Sequence, residues 1–420
     1  MEGNEKSTVH IIGAGISGLI AALVLEEQGY APVIYESTSQ EGGRLKTEMH
    51  NNYQLDHGFQ ILLGAYPKAK QYLEYDALDL QEILPGAVVF FSDKKSTIGD
   101  PLRQLSFLVP TLTSSLANLR DKAKMIQLYM KLKNTSLNAI FEEKEQTSLE
   151  FLKDFGFSER VIHRFFRPFF SGIFLEPNLA TSSRMFQFVF KLFGEGSAYI
   201  PKRGISAIPK QLKAKLKKTK FHFNTPVERV EEGTIFLENG TVIPSENTII
   251  ATTASNLVTN LKNQEIPWKS CINLYFEVDK RKIQKAIIGL VADTESLINN
   301  IFYHTSVKTE AQGARELLSV TVVKPTNLTE KQLVERILAD LEKYCKITGA
   351  TFLKQFTIKK ALPDISQLQY EMSPTETQLT NGIFLAGDQL LNPSLNAAMI
   401  AGERAAMAVL KKIQGGTILG

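Results

Sequence analysis

The hydrophobic pattern at the start of the chain predicts a strand, a helix and a second strand. Val9–Ile12 is a short apolar run rich in β-branched residues, and it ends at a glycine turn. Apolar residues then recur at helical spacing until Gly29, which marks the end of the helix. Residues 32–35 are again strand-like and are followed by Glu36. The chain therefore opens with a β-α-β unit.

Residues 219–251 and the end of the chain contain further strand-like runs. Four runs are separated by turns that contain Asn, Gly or Pro, and they lie at 221–223, 227–230, 234–237 and 248–251. Their spacing predicts a small antiparallel meander. Residues 382–386 predict another strand, and residues 395–412 predict a long Ala-rich helix that Asn392 or Ser394 can cap.

Two other regions separate these segments. Residues 100–200 have a mainly helical pattern, and 12 of the 25 phenylalanines lie between Phe151 and Phe193. That density requires either a thick helical core or an apolar substrate channel, and the pattern favours neither. Residues 270–360 mix strand-like runs with an amphipathic helix at 330–344. We expect these regions to interleave with the first ones rather than to follow them in series.

A third apolar pattern lies on a helix in residues 116–130. Leu116, Leu119, Ala123, Ile126 and Met130 form a stripe, and basic residues occupy the rest of the helix surface. The favoured interpretation is an amphipathic core helix. A helix in a membrane interface is the alternative.

Composition and charge exclude several classes of protein. The 48 basic and 44 acidic residues leave a net charge of only +4, so no nucleic-acid partner is expected. Two cysteines exclude a disulfide framework and a four-cysteine zinc site, and we expect no metal. The first residues lack the basic and apolar regions of a signal peptide. We expect a cytoplasmic protein, with peripheral membrane contact left open.

The glycines after the first predicted strand form a G-x-G-x-x-G motif. Gly13 permits a tight turn, Gly15 lets the backbone approach a pyrophosphate, and Gly18 allows close helix packing. Glu36 follows Gly18 by eighteen residues and can accept hydrogen bonds from ribose hydroxyls. This context predicts a dinucleotide site with its phosphates at a helix N-terminus.

Two later segments favour a flavin dinucleotide. Gly43 and Arg44 belong to a Gly-Gly-Arg run that is suited to clasp a cofactor across its phosphates. Gly387 and Asp388 end a predicted strand, where they can approach a ribityl chain. The helix that follows would direct its positive end at the flavin ring. Only one convincing dinucleotide motif occurs, so reduction by NAD(P)H is not supported.

Together these segments resemble the flavin amine oxidase, phytoene desaturase and protoporphyrinogen oxidase superfamily. The resemblance is carried by residues 9–18, 36–44, 385–388, 393–398 and 402–406. Residues 56–67 look most like the plant-type carotene desaturases, in which the glycine matching Gly58 lies beside the flavin ring. Residues 201–209 resemble the family's Pro-x-Gly-Gly segment, with Arg203 in place of its first glycine.

The resemblance implies an α/β fold in which a Rossmann-type FAD-binding domain of two or three ββα layers is interleaved with a mixed α+β substrate domain. We assign residues 1–90, 205–265 and 370–420 to the FAD-binding domain. Residues 91–204 and 266–369 form the substrate domain, with a helical part at 100–200 and a mixed sheet at 270–360. The residues expected to contact the cofactor are Gly13, Gly15, Ser17, Gly18, Glu36, Gly43, Arg44, Gly58, Phe59, Gln60, Val227, Gly387, Asp388, Ser394, Leu395 and Ala398.

No side-chain catalyst stands out in the sequence. Hydride transfer does not require one, because flavin N5 accepts the hydride. Gln60 is the favoured polar contact to the ring, and His57 is a second candidate although a structural role is more typical of a histidine. No cysteine follows Cys345, so the thioether attachment of some amine oxidases has no donor. We expect FAD to bind noncovalently.

The expected reaction is dehydrogenation of an apolar, polyprenoid or carotenoid-like substrate, with oxygen or a quinone reoxidising the flavin. Residues 361–367 contain no aromatic side chain that would form one wall of an amine-binding cage, and Tyr370 and Phe384 are the candidates to replace it. Amine oxidation and protoporphyrinogen oxidase-like chemistry stay open as alternatives. A flavin-free lipid- or prenyl-binding escort protein is a less favoured one.

Overall fold

The computed structural model describes residues 8–92, 94–101, 103–262 and 264–415. The first seven residues, which carry part of the expectation about a signal peptide, lie outside these ranges. Within the described residues, no helix combines the length and the apolar character that crossing a bilayer requires.

A five-stranded parallel sheet has the order β10-β2-β1-β14-β20. Its strands are β1 (Val9–Ile12), β2 (Val33–Tyr35), β10 (Lys220–His222), β14 (Asn247–Ile250) and β20 (Ile383–Leu385). They come from the beginning, the middle and the end of the chain, so these three segments fold as one unit. The predicted α/β class with a Rossmann-type domain is confirmed.

Different layers cover the two faces of this sheet. Helices α1 (Ile16–Glu27) and α13 (Leu395–Ile413) pack on one face, with α11 (Ala207–Lys215) beside α1. The antiparallel strands β11 (Val227–Glu231), β12 (Gly233–Leu237) and β13 (Val242–Ser245) cover the other face. Apolar side chains of the two sheets share one core. The unit therefore has three layers, namely the antiparallel sheet, the parallel sheet and the helices, in a ββα arrangement.

The predicted meander at 219–251 is wrong at both ends. Only β11 to β13 form it, whereas β10 and β14 pair in parallel with β2 and β1. All four residues of β14 are buried, as is typical of a strand inside a parallel sheet that is covered on both faces.

The second unit is built on a seven-stranded mixed sheet with the order β19-β15-β18-β17-β16-β7-β8. Its strands are β7 (Gly86–Phe91), β8 (Lys94–Gly99), β15 (Trp268–Val278), β16 (Ile288–Val291), β17 (Asn300–Tyr303), β18 (Glu316–Val322) and β19 (Thr351–Pro363). Helix α12 (Glu330–Cys345) packs on one face. The predicted domain boundary at residue 90 falls inside β7, which pairs with β8 and β16. The domain division itself stays a proposal.

Short elements connect the two units. They are the hairpin β3 (Thr47–His50) and β4 (Tyr53–Asp56), the sheet of β5 (Leu62–Leu63), β6 (Leu80–Ile83) and β9 (Ala198–Pro201), and helices α2 (Pro67–Tyr72) and α3 (Tyr75–Leu78).

A helical layer packs against the β7 and β16 end of the large sheet. Its helices are α4 (Leu108–Thr113), α5 (Leu119–Lys133), α6 (Leu137–Glu142), α7 (Ser148–Asp154), α8 (Glu159–Val161), α9 (Arg167–Phe174) and α10 (Ser183–Glu195). A π-helical turn, Ile162–Phe166, joins α8 to α9. Phe165 and Phe169 pack against Ala87, Val89 and Leu290 of the sheet.

The interpretation of residues 116–130 as a core helix is wrong for most of the stripe. Leu119, Ile126 and Met130 are exposed, although Leu116 is buried. Helix α5 instead turns Leu128 and Leu132 into the core. Asp121 fixes this orientation, because its buried carboxylate accepts hydrogen bonds from the amides of Asn118 and Ser158.

Most of the twelve clustered phenylalanines form a core. Seven are buried, namely Phe151, Phe157, Phe166, Phe170, Phe174, Phe186 and Phe188. The ring of Phe186 lies 4.5 Å from that of Phe170 and 5.6 Å from that of Phe151, measured between centroids. Phe155, Phe165, Phe169, Phe190 and Phe193 are only partly buried.

We expect Phe186→Ala to lower the free energy of unfolding by about 3–5 kcal/mol, because it leaves a cavity among packed rings. Phe155→Ala is the matched control, since Phe155 lies at the partly exposed edge of the same cluster. Phe155→Ala should lower the free energy of unfolding by less than half as much as Phe186→Ala. Urea unfolding of both variants measures the difference, and equal losses would show that Phe186 is not the centre of this core.

Candidate cofactor site

The glycine-rich turn after β1 leaves a helix N-terminus available to an anion. Gly13 has φ +101°, and a Cβ there would lie 3.0 Å from the oxygen of Ala251, so the turn requires glycine. Gly15 is the N-cap of α1, and no side chain among the described residues caps this helix. Its first-turn amides therefore remain available to phosphate oxygens.

Glu36 lies at the carboxyl end of β2 beside this turn. One carboxylate oxygen, Oε2, accepts from the amide of Ala14 at 2.8 Å, and Oε1 accepts from the amide and the hydroxyl of Thr38. Because a carboxylate oxygen can accept two hydrogen bonds, Oε2 keeps one position for a ribose hydroxyl. The amide of Thr225 donates to the backbone oxygen of Glu36, which brings Val227, at the start of β11, near the same strand end.

The Gly-Gly-Arg segment lies over the glycine-rich turn. The amide of Gly42 donates to the oxygen of Ala14 at 2.9 Å. A Cβ on Gly43 would lie 3.3 Å from the Cα of Gly15. The two glycine backbones are thus in close contact with no side chain between them, which holds the Gly-Gly-Arg segment against the N-terminus of α1.

Arg44 joins this segment to the end of the chain. Its Nη2 donates to Asp388 Oδ1 at 2.5 Å, and its Nη1 donates to the oxygen of Ala361 at 3.1 Å. The Asp388 side chain is 4% exposed, so its charge requires this partner. Gly387, with φ +147°, makes the turn from β20 that places Asp388 there. The guanidinium also lies 5.4 Å from the ring centroid of Trp268.

The start of α13 packs against the start of α1. Ser394 is the cap, because its hydroxyl accepts from the amide of Ala397 at 3.0 Å and Leu395 is the first helical residue. Asn392, the other candidate, accepts from the Ser394 hydroxyl. The Ser17 hydroxyl donates to the oxygen of Ala398 at 2.7 Å.

Residues 57–60 lie between the two units. The ring of His57 stacks on Phe356 of β19 with 4.3 Å between centroids, and its Nε2 is 3.3 Å from Glu48. Burial lowers the pKa of His57, although Glu48 opposes that change. The ring of Phe59 packs against that of Phe302 in β17, with 5.0 Å between centroids. These contacts indicate a structural role for His57, and they place Gly58 under the seven-stranded sheet.

Gln60 presents an unsatisfied acceptor. Its Nε2 donates to the oxygen of Arg44 at 3.2 Å, whereas its Oε1 is buried and has no hydrogen-bond donor in the part of the chain that the structure describes. An N–H group of a flavin ring would satisfy that atom. With the uncapped N-terminus of α1 and the close approach of Gly43 to Gly15, this acceptor makes the residues present fit a flavin dinucleotide.

Sequence reasoning missed the role of Asp56. Its buried carboxylate accepts from the Thr47 hydroxyl at 2.6 Å and the Ile205 amide at 3.1 Å. A Cβ on Gly204 would lie 2.8 Å from Asp56 Oδ1, so the close approach in residues 201–209 belongs to Gly204, and Arg203 is exposed. The sequence feature that could have indicated this role is the position of Asp56 at the start of the 56–67 motif.

Residues 16–410 match the family model described as flavin containing amine oxidoreductase. The chain belongs to this family. The resemblance drawn from the motifs is thereby confirmed, and so are FAD as the cofactor and the oxidoreductase class. Noncovalent attachment and the individual contact residues stay predictions.

Curated members of the flavin amine oxidoreductase family match parts of the chain. Protoporphyrinogen oxidase 2 of Arabidopsis thaliana is 27% identical over 176 residues, which are 41% of this chain and 33% of that protein. Hydroxysqualene dehydroxylase of Sinorhizobium fredii is 41% identical over 66 residues, which are 15% of this chain and 16% of the relative. The chain thus spans a third or less of the length of these relatives.

Solved structures of the same fold cover nearly the whole chain. An oxidoreductase from Methanosarcina mazei has a TM-score of 0.71 at 16% identity and covers 96% of this chain and 100% of its own. Putrescine oxidase bound to putrescine has a TM-score of 0.66 at 15% identity and covers 96% of this chain and 99% of its own. At these identities the likeness shows the fold alone.

We expect Glu36→Ala to weaken FAD binding about tenfold or more, because each hydrogen bond to a charged acceptor contributes about 1.5–3 kcal/mol. Glu26→Ala is the matched control, since Glu26 also accepts backbone amides, those of residues 217–219, but lies at the other end of α1. Titration by flavin fluorescence quenching measures both. Full FAD affinity in Glu36→Ala would show that this carboxylate does not hold the ribose.

We expect Asp56 to make the folded state less stable as pH rises. Burial raises its pKa from 3.8 to about 6, so the folded protein keeps a proton that the unfolded chain loses between these values. The wild type should therefore lose about 2 kcal/mol relative to Asp56→Asn between pH 4 and pH 7. Urea unfolding across this range measures the difference, and a constant difference would contradict the raised pKa.

Proposed function

We propose that this protein is an FAD-dependent oxidoreductase that dehydrogenates an extended apolar molecule, of polyprenoid or carotenoid type. Bound FAD supplies a hydride acceptor at its N5 atom. The observation that carries the proposal is the apolar continuity between residues 58–61 and the Phe-rich helical layer.

Phe59 and Ile61 pack, partly buried, on the same hydrophobic cluster as Phe165 and Phe169. The last two rings stack with 5.5 Å between centroids and 20° between planes. Phe165 lies in the π-helical turn, a feature that is frequent at functional sites. All four side chains are partly buried, so they offer aromatic and aliphatic contacts to a chain of isoprene units, which supports an apolar substrate.

The two candidates for an amine cage pack against other parts of the chain. Phe384 is fully buried in β20, and Tyr370 packs against Phe141 with 6.0 Å between centroids. Trp268 lies beside Arg44 and Lys360, at 5.4 and 6.0 Å from its ring centroid. These two cations disfavour a protonated amine at the indole.

The names of several relatives agree with an apolar substrate. Besides hydroxysqualene dehydroxylase, 4,4'-diapophytoene desaturase of Staphylococcus haemolyticus is 29% identical over 105 residues. A porphyrinogen is the second candidate, because protoporphyrinogen oxidase 2 matches the longer segment. The escort alternative is disfavoured because the chain keeps Glu36, Arg44 and Asp388 in mutual reach of one cofactor.

The chain's own residues would bind the dinucleotide, orient the flavin ring and exclude water. Glu36, Arg44 and Asp388 hold the dinucleotide, and Gln60 accepts from the ring. Asp56 positions the segment that contains Gly58, because its carboxylate ties the segment to residues 204–206. Strands β17 and β19 close over that segment through Phe302 and Phe356. We propose oxygen or a quinone as the final electron acceptor.

We expect anaerobic mixing of the FAD-bound protein with a polyprenoid or carotenoid to bleach the visible flavin absorbance. Phe165→Ala and Phe169→Ala should slow the bleaching at least tenfold, whereas Phe155→Ala should not, because Phe155 does not belong to the cluster that packs on the sheet. Porphyrinogens and primary or secondary amines complete the panel. Rapid bleaching by an amine and none by any isoprenoid would overturn the proposal.

A further inference from the structure

The surface of α4, α5 and the turn before α4 is unusually apolar. Among the described residues, ten large hydrophobic side chains are exposed, and seven of them lie between positions 105 and 130. These seven define the α4–α5 patch, and they are Leu105 (81% exposed), Leu108 (45%), Val109 (67%), Leu112 (59%), Leu119 (79%), Ile126 (61%) and Met130 (50%). Such concentration on one surface marks an interaction site rather than scattered surface residues.

The two helices contribute to one continuous surface. Lys122 Nζ donates to the oxygen of Leu112 at 2.7 Å, which places the end of α4 against the first turns of α5. Leu119, Ile126 and Met130 share the helix face of Lys122, because these positions recur at helical spacing. The exposed side chains of α4 and α5 therefore meet around Lys122.

The inner contacts of α5 leave the patch uncovered by the described part of this chain. Leu128 and Leu132 pack into the core, and Asp121 binds the amide and hydroxyl of Ser158 at 2.8 and 2.7 Å. Rotation of the helix to bury Leu119 would break these contacts. The apolar face is therefore held outward, where it is available to a partner.

The charge around the patch identifies the kind of partner. Residues 101–141 contain one acidic residue, Asp121, and six basic ones, Arg103, Arg120, Lys122, Lys124, Lys131 and Lys133, of which Lys131 is paired with Glu143 at 2.8 Å. Asp121 is 1% exposed and serves as a helix cap, so it does not offset the surface charge. Lys285, whose Nζ is 3.2 Å from the Ser106 hydroxyl, adds a positive charge beside Leu105.

We propose that the α4–α5 patch docks this protein on the surface of an anionic lipid bilayer. Exposed leucines with flanking lysines and arginines are the composition that partitions into a membrane interface, where the apolar side chains leave water and the cations meet lipid phosphates. A second copy of the chain fits less well, because pairing two such patches would bring like charges together. The proposal does not depend on the identity of the substrate.

Flotation of the full-length protein with vesicles tests the docking. Vesicles of phosphatidylcholine with phosphatidylglycerol should bind the wild type at least tenfold more tightly than pure phosphatidylcholine, and added salt should weaken binding. Leu105→Asp/Leu119→Asp, at the two most exposed positions, should reduce binding at least tenfold. The matched control is Val242→Asp/Leu328→Asp, which changes exposed apolar residues outside the patch and should bind like the wild type.

Thermal unfolding of each variant confirms that the fold is intact before binding is compared. Arg120→Glu/Lys133→Glu should lose the preference for anionic vesicles while keeping the apolar residues. Equal vesicle binding by the wild type and the patch variant would overturn the proposal, as would no binding to any vesicle. A concentration-dependent dimer that the patch variant abolishes, without vesicle binding, would assign the surface to a second copy instead.

Discussion

The close packing of α1 against α13 brings the two ends of the chain to one cofactor site. A Cβ on Gly402 of α13 would lie 2.3 Å from the oxygen of Ser17 in α1, so this position does not accept a side chain. This contact places Asp388 within reach of Arg44 and places the start of α13 beside the glycine-rich turn. The dinucleotide site exists only because residues more than 340 positions apart meet in this way.

The second constraint is the cover that the seven-stranded sheet provides. Residues 56–60 extend from the FAD-binding unit and are held against this sheet, since Tyr275 donates to the oxygen of Asp56 at 2.9 Å and Phe59 packs on Phe302. Under the proposed function, a reacting group held there would lie between the cofactor and the aromatic side chains of this sheet. That asymmetry suits a reaction in which a hydride leaves a carbon atom far from water.

Local patterns predicted much of this structure, and long-range partners explain what they missed. The β-α-β unit, Ser394 as one of two possible caps and the helix at 330–344 follow from short-range periodicity and capping chemistry. The parallel pairing of β10 and β14 depends on strands far away in the chain, which a run of apolar residues does not reveal. In α5, periodicity identified a shared face, but the contacts of Asp121, Leu128 and Leu132 decided that this face points outward. Asp56 acquires its role only when residues 204–206 fold against it.

The flavin content of the protein tests the central claim, that one FAD is held across both ends of the chain. Absorbance after reconstitution with excess FAD and removal of free cofactor measures the stoichiometry, and precipitation of the protein shows whether the flavin is released. The account predicts one FAD per chain, released intact into the supernatant. A chain that retains no flavin after reconstitution would contradict it.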